Sequence, residues 1–300
     1  MKRLKVGTRR SLLARTQTTE VIQQLTTIHT GLNIKVQTIS TLGDQTTGPL
    51  PTSQTGFFTS SLETALINKE IDFVVHSLKD LPTMGPDQLT IVAIPKRSSA
   101  YDVLVTSKGM TLEELPIGAS IGTSSLRRIA QLLSIRPDLR IELLRGNVDT
   151  RIKKILSGNL QATVLAEAGL RRLQIPLRHQ YRIPLDVMLP AAAQGALAIQ
   201  CRKNDTCTKI LLESIDCRET RMTTSAERTF LSSTGGGCAV AMAAFATFDH
   251  QIHLKAEVLS SDGDRKICVS GSGTDPALLG NQLAQQAIEM GAQDLLRRDE

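Results

Sequence analysis

Apolar and polar positions switch between two periods along the chain, and the switches mark its elements. Lys5-Val6-Gly7 closes a short alternating strand, after which Ala14, Gln17, Val21, Leu25 and Ile28 recur at the spacing of one helical face. Alternation resumes over 34–39. Residues 41–56, with Thr, Gly, Pro and Ser throughout, predict a loop long enough to be functional. Helical spacing at Leu62, Ala65 and Leu66 leads into an apolar strand at 71–75 that ends at His76-Ser77-Leu78-Lys79-Asp80, and a further strand covers 89–94. The stretch 95–100 reads as a crossing, because a second alternation follows: strand 117–121, helix 124–134, strand 139–144, helix 148–157, strand 162–165 and a helical turn at 168–173.

The Ala-rich segment 190–201 predicts a buried strand returning to the first unit. Helices at 205–215 and 219–231, strands at 240–248, 252–259 and 265–270, and a last helix over 276–296 complete the pattern. The expected fold class is α/β with three domains. Residues 1–97 plus 196–213 form a first open-sheet lobe, 101–190 a second, and 217–300 a small α+β C-terminal domain.

Composition narrows the partners. Of 300 residues, 41% are hydrophobic and 21% charged, which excludes collagen-like, coiled-coil and wholly disordered chains. Six Phe, two Tyr and no Trp supply little ring surface for stacking on unpaired bases. The net charge of +6 is concentrated: residues 120–182 hold twelve basic residues against four acidic ones. This suits a polyanion or poly-carboxylate; nucleic acid is a rival ligand, though no nucleic-acid motif supports it. Cysteines at 201, 207, 217, 238 and 268 are odd in number and lack a CxxC pair, which argues against a disulfide framework and a structural zinc site, and no histidine spacing predicts a metal. No apolar run is long enough to span a membrane, so a soluble cytoplasmic protein is expected.

Candidate chemistry gathers at strand ends. Lys79-Asp80 stands where a strand gives way to Leu81-Pro82; the aspartate is placed to protonate a leaving group or stabilise a cation, and the alternative is a surface salt pair. Gly122-Thr123-Ser124-Ser125-Leu126-Arg127-Arg128 brings free N–H groups, hydroxyls and two guanidiniums to a helix N-terminus. Arg145-Gly146-Asn147, with Arg151 on the following helix, repeats that arrangement, and Arg9-Arg10-Ser11 is a third such seat. Arginine suits carboxylates because its planar fork binds them bidentately; a solvated basic face is the alternative. Gln194-Gly195 offers an amide or an ordinary bend. Gly235-Gly236-Gly237-Cys238 exposes a thiol on a flexible loop, suited to covalent attachment.

The order of Gly7-Thr8-Arg9-x-Ser11, Thr41-x-Gly43-Asp44, His76-Ser77-x-Lys79-Asp80-Leu81-Pro82, Gly122-Thr123-Ser124-Ser125-Leu126-Arg127-Arg128, Arg145-Gly146-Asn147-Val148-x-Thr150-Arg151, Ala168-Gly169-Leu170, Gln194-Gly195-Ala196 and Gly236-Gly237-Cys238 resembles the porphobilinogen deaminase (hydroxymethylbilane synthase) family. The resemblance implies two open-sheet domains like type 2 periplasmic-binding lobes, and a third domain carrying a cofactor cysteine. It implies a transferase that condenses four porphobilinogen molecules head to tail, releases ammonia at each step and frees hydroxymethylbilane by hydrolysis; nothing in the sequence requires a partner chain, so a monomer is expected. A dipyrromethane cofactor would be attached through a thioether to Cys238, with Ser77, Lys79, Ser125, Arg127 and Arg128 holding it. Asp80, with Lys79, would be catalytic, and Arg9, Ser11, Arg145, Arg151 and Gln194 would hold substrate carboxylates.

Several positions depart from the family pattern. Thr55-Gly56-Phe57-Phe58-Thr59-Ser60-Ser61-Leu62 lacks the lysines of the usual Gly-Lys-Gly-Leu-Phe-x-Lys-Glu-Leu string. Ala193 stands for a glycine, Gln200 for a glutamate, Tyr101 for an arginine, and Ala239-Val240-Ala241 for Gln-Val-Pro. The alternatives are a catalytically impaired paralogue and a non-catalytic two-lobed anion-binding protein.

Overall fold

The computed structural model describes residues 3–40, 59–176, 180–235 and 240–297; the predicted loop at 41–56, the altered string up to Phe58, and Cys238 lie outside the described residues. The chain divides into two compact units, 1–97 with 196–221, and 98–195 with 222–300.

The first unit is built on β1 (Arg3–Thr8), α1 (Leu12–Ile28), β2 (Asn33–Thr38), α2 (Ser60–Ile67), β3 (Phe73–Ser77) and β4 (Leu89–Ala93). In the second unit, β5 (Asp102–Thr106), β6 (Ser120–Gly122), α3 (Leu126–Ile135), β7 (Arg140–Glu142), α4 (Val148–Leu156), β8 (Ala162–Ala166), α5 (Glu167–Arg172) and β9 (Gln180–Arg182) follow. The chain then returns to the first unit as β10 (Leu197–Arg202) and α6 (Thr206–Glu213). Last come α7 (Arg218–Ser233), β11 (Met242–Phe248), β12 (Ile252–Leu259), β13 (Lys266–Gly273), α8 (Pro276–Glu289) and α9 (Ala292–Arg297).

Two five-stranded sheets share one plan. Their orders are β2-β1-β3-β10-β4 and β7-β6-β8-β5-β9, with the first three strands parallel and the fourth antiparallel to both neighbours. In each sheet that fourth strand directly follows a unit boundary, β10 after 195/196 and β5 after 97/98. Both faces are covered, as strands with near-continuous apolar runs require. Phe73 and Val75 join Val6, Val21 and Leu25 in one cluster, while Val74 packs with Leu62 and Leu66 in another. Leu104 and Val164 likewise face Ile121 and Leu132, whereas Val103, Val105 and Leu165 face Leu170. The fold is thus two open α/β sheets plus the smaller antiparallel sheet β11-β12-β13, whose core includes Phe230, Leu254, Val258, Leu283 and Ala287.

The structure corrects several expectations. Strands β5 and β9 were absent from the sequence pattern, because the run after 95–100 reads as a continuation of the crossing and β9 has three residues. Ile28 is exposed rather than on the buried face of α1, and Ile117 is 91% exposed in a turn, so β6 begins only at Ser120. The segment 190–201 is a strand only from Leu197, since Ala193 (φ +61°) and Gly195 (φ +88°) are left-handed. The last helix is two helices, interrupted at Gly291 (φ +93°).

A buried polar thread crosses the first unit. His76 of β3 and Gln200 of β10 lie diagonally on one sheet face; Gln200 gives its amide to Glu63 Oε1 of α2 (3.2 Å), so its Oε1 accepts from His76 Nε2 (3.0 Å). Burial lowers the His76 pKa to about 4; the Gln200 hydrogen bond opposes this and the charge of Arg9 adds to it. The unfolded chain therefore binds more protons than the folded one between the ordinary value of 6.5 and about 4. Stability is expected to fall by about 3 kcal/mol as pH drops through that window. Urea unfolding of wild type and His76→Gln from pH 7 to 4 checks this: the difference between them must shrink with acidity, and a constant difference contradicts it.

Gly280 of α8 lies where a Cβ would stand 2.8 Å from the Ala226 carbonyl oxygen of α7 and 2.7 Å from Thr229 Cβ. Gly280→Ala gains up to about 1 kcal/mol of helix propensity but forces two helices apart, which costs about 1–3 kcal/mol. Net destabilisation in a urea titration is expected; a more stable variant would contradict the packing.

Candidate functional site

In the first unit, the candidate acid sits at the end of an apolar strand. After β3 the chain makes one 3-10 turn, Leu78–Asp80, before the extended Leu81. Leu78 and Leu81 are buried and bracket the turn, and the Leu78 N–H donates to the Ala196 carbonyl at 3.0 Å. Two buried leucines therefore fix a turn whose intervening residues point elsewhere: Lys79 is half-buried and Asp80 exposed. Ser77 Oγ accepts the side-chain amide of Gln17 (2.9 Å), the one polar member of the predicted α1 face. Ser11 caps α1, its Oγ accepting the Ala14 N–H at 3.2 Å, which leaves its own O–H to donate. Arg9 is half-buried on the turn between β1 and α1.

In the second unit the basic residues gather around one carboxylate that the sequence pattern did not reveal. Asp102 of β5 is 1% exposed. Its Oδ1 accepts Arg128 Nη2 (2.7 Å) and Nε (3.1 Å), and its Oδ2 lies 2.8 Å from Arg127 Nη2. Both arginines stand in the first turn of α3 and are buried, which removes the solvated-face alternative for these two. Carbonyl oxygens take further donors, Leu189 from Arg127 Nη1 (2.7 Å) and Val164 from Arg128 Nη1 (2.8 Å). Gln194 is fully buried, and its amide donates to Ala100 O (2.8 Å) and Asp102 Oδ1 (3.1 Å). The signal for Asp102 was present as a lone acid opening an apolar run, Asp102-Val103-Leu104-Val105.

Two buried guanidiniums share the Asp102 carboxylate, with Glu257 adding a weaker attraction at Arg127. Arg127 is pushed below the usual arginine range, chiefly by burial, with Asp102 opposing and Arg128 adding to the shift. Its Nε is buried and has no hydrogen-bond partner among the described residues. Arg151 of α4 is pushed down to about 10 by burial and by the like charges of Arg128 and Arg145. Arg151 Nε donates to the Gly146 carbonyl (2.8 Å), and no carboxylate pairs with it among the described residues. Ser125 and Asn147 hold the N-cap positions of α3 and α4 without side-chain capping bonds, so these two helix ends keep N–H donors for an anion. The second unit therefore presents Arg151, crowded by two like charges, and at Arg127 Nε a buried donor without a partner among the described residues, both of which an acidic ligand relieves.

Among the described residues, no group of three His, Cys, Asp or Glu side chains is arranged to hold a metal, and no helix is long and apolar enough to cross a membrane.

Comparison with known proteins gives the chain a family. The profile described as "Porphobilinogen deaminase, dipyromethane cofactor binding domain" matches residues 4–210, and "Porphobilinogen deaminase, C-terminal domain" matches 222–289. Relatives named porphobilinogen deaminase include those of Brevibacillus brevis, 45% identical over 99% of this chain and 97% of the relative, and Pelotomaculum thermopropionicum, 42% identical over 99% and 97%. Another, from Corynebacterium efficiens, is 43% identical over 98% of this chain and 99% of its own. With both profiles in chain order and near-complete coverage at these identities, the chain belongs to the porphobilinogen deaminase family.

Proposed function

We propose that the chain condenses four porphobilinogen molecules head to tail, releasing ammonia at each addition, and then frees hydroxymethylbilane by hydrolysis, acting as a cytoplasmic monomer. The observation that carries this reading is the pair of donors left without a carboxylate among the described residues, the buried Arg127 Nε and the Arg151 guanidinium, in a stretch that also holds Arg128 and Arg145. Every pyrrole of such a chain bears an acetate and a propionate. A growing product therefore brings carboxylates to Arg127 Nε and Arg151.

The same residues fit a dipyrromethane cofactor, since its carboxylates would satisfy the buried Arg127 donor and lower the repulsion felt by Arg151. Ser77, Lys79, Ser125, Arg127 and Arg128 are the residues we assign to holding it, with Cys238 as the thioether attachment on the strength of its glycine-rich loop and the motif order. When bound, the cofactor supplies the acceptor to which pyrroles are added. Arg9, Ser11, Arg145 and Arg151 would bind the incoming substrate's carboxylates, and Gln194 acts through its hydrogen bond to Asp102.

Asp80 performs the proton work. It donates a proton as the substrate's carbon–nitrogen bond breaks and ammonia departs, and the resulting carboxylate faces the cation left on the methylene carbon. When the new carbon–carbon bond forms, the pyrrole carbon that attacked gives up its proton and Asp80 is restored. An exposed carboxylate on a rigid turn suits both roles, because it reaches a ligand without moving the buried Leu78 and Leu81.

Asp80→Asn, with cofactor loading verified by intact mass, is expected to reduce product formation from porphobilinogen at least about 100-fold while its melting temperature stays within a few degrees of wild type. Wild type that is fully loaded yet forms no product overturns the proposed function. A variant of undiminished rate overturns the role of Asp80.

A further inference from the structure

Behind the arginine pair, the turn bearing Gln194 is held in a conformation its own sequence disfavours. Ala193 is fully buried with φ +61°, a left-handed setting that an L-residue with a Cβ adopts at a cost. Glycine would accept it freely. Gly195 two positions on has φ +88° and lies so close to the Ser99 carbonyl oxygen that a Cβ there would collide with it, so the chain on that side has no room to relax. Something must hold Ala193 from the other side.

That group is Glu227 of α7, whose side chain is wholly buried. Its Oε2 accepts the Ala193 N–H at 2.6 Å, and its Oε1 accepts the Ala246 N–H of β11 at 2.8 Å. These are charge-assisted bonds to two backbone donors, of the stronger kind. Directly after Ala193 comes Gln194, whose amide shares Asp102 Oδ1 with the Arg128 guanidinium.

We propose that Glu227 is a positioning residue for the arginine pair: by holding the left-handed Ala193 it aims the Gln194 amide at Asp102, and so sets how Asp102 is shared between that amide, Arg127 and Arg128. With Gln194 in place, part of the carboxylate's accepting capacity is taken by a neutral donor, and the guanidiniums keep attraction for an outside carboxylate. With Gln194 displaced, Asp102 binds the two arginines more closely, and the ligand is held less well. Glu227 touches no ligand in this scheme. Its influence runs through one backbone N–H, one amide and one carboxylate.

The kinetic readout rests on the proposed function; a second readout does not. Glu227→Gln keeps the size but can present only one acceptor, so one of the two backbone N–H groups meets an NH2 group instead. We expect it to raise KM for porphobilinogen about ten-fold with kcat changed less than about three-fold, the signature of lost binding rather than lost chemistry. Adding Ala193→Gly to the same chain, which removes the strain Glu227 opposes, is expected to restore most of KM. In the ligand-free protein, hydrogen exchange at Arg128 Nε, which donates to Asp102, should change several-fold in Glu227→Gln and return toward wild type in the double variant. Glu227→Asp, retaining the charge with a shorter reach, carries the same expectation if Glu227→Gln does not fold.

A purely structural Glu227 would lower the melting temperature and leave KM and Arg128 exchange unmoved, and that result overturns the proposal. So does a raised KM that Ala193→Gly fails to restore. If wild type shows no turnover, the proposed function fails, and the Arg128 exchange series alone decides the role of Glu227.

Discussion

The Asp102 carboxylate is the constraint on which the second unit depends. Burying a guanidinium without a partner costs several kcal/mol, and two of them in the first turn of α3 would not be tolerated. A single carboxylate on the adjoining sheet makes the burial possible and fixes both side chains by geometry. It is shared between the two guanidiniums, and Glu257 adds a weaker attraction at Arg127. Like charge is felt at Arg151, which burial, Arg128 and Arg145 together push down to about 10. Under the proposed function, folding and binding draw on one arrangement: enough negative charge to bury Arg127 and Arg128, with Arg127 Nε and Arg151 left for a ligand.

The first unit solves a different problem. Its candidate acid needs position without burial, and the turn Leu78–Asp80 provides this by alternating buried leucines with the residues proposed to carry the chemistry. The polar positions behind it are tied internally: Gln17 to Ser77, and Glu63 through Gln200 to His76. Three of the departures from the family pattern are absorbed by specific contacts. Gln200 accepts from His76 and donates to Glu63; Tyr101 lies under the Arg182 guanidinium at 4.8 Å; Ala193 is held left-handed by Glu227. None of these three removes a residue proposed to touch the substrate.

Much of this architecture was legible in the sequence because its signals are local. The face of α1 from Ala14 to Leu25, the strand-to-turn switch at Lys79-Asp80, and the Gly-Thr-Ser-Ser opening of α3 follow from periodicity and capping chemistry. The motif order then supplied a family. What was illegible depends on partners distant in sequence. Strand β5 is a strand because β8 and β9 flank it, and its short run after a crossing carries no turn signal of its own. Asp102 and Glu227 look like unremarkable polar residues, and Gln194 like a carboxylate ligand or an ordinary bend, until 92 positions of chain fold Gln194 onto Asp102 and 34 bring Glu227 to Ala193. Left-handed Ala193 is invisible to any rule that assigns such a setting to glycine.

The central claim is that these arginine donors serve a pyrrole poly-carboxylate built on the chain itself. Intact mass spectrometry of the full-length protein, purified without denaturation from cells that make porphobilinogen and then exposed briefly to porphobilinogen, tests it most directly. The expected result is a mass above the bare polypeptide by one dipyrromethane, lost in Cys238→Ser, and stepwise growth by single pyrrole units on exposure. A bare polypeptide mass, a freely titratable Cys238 and no growth with porphobilinogen would contradict it.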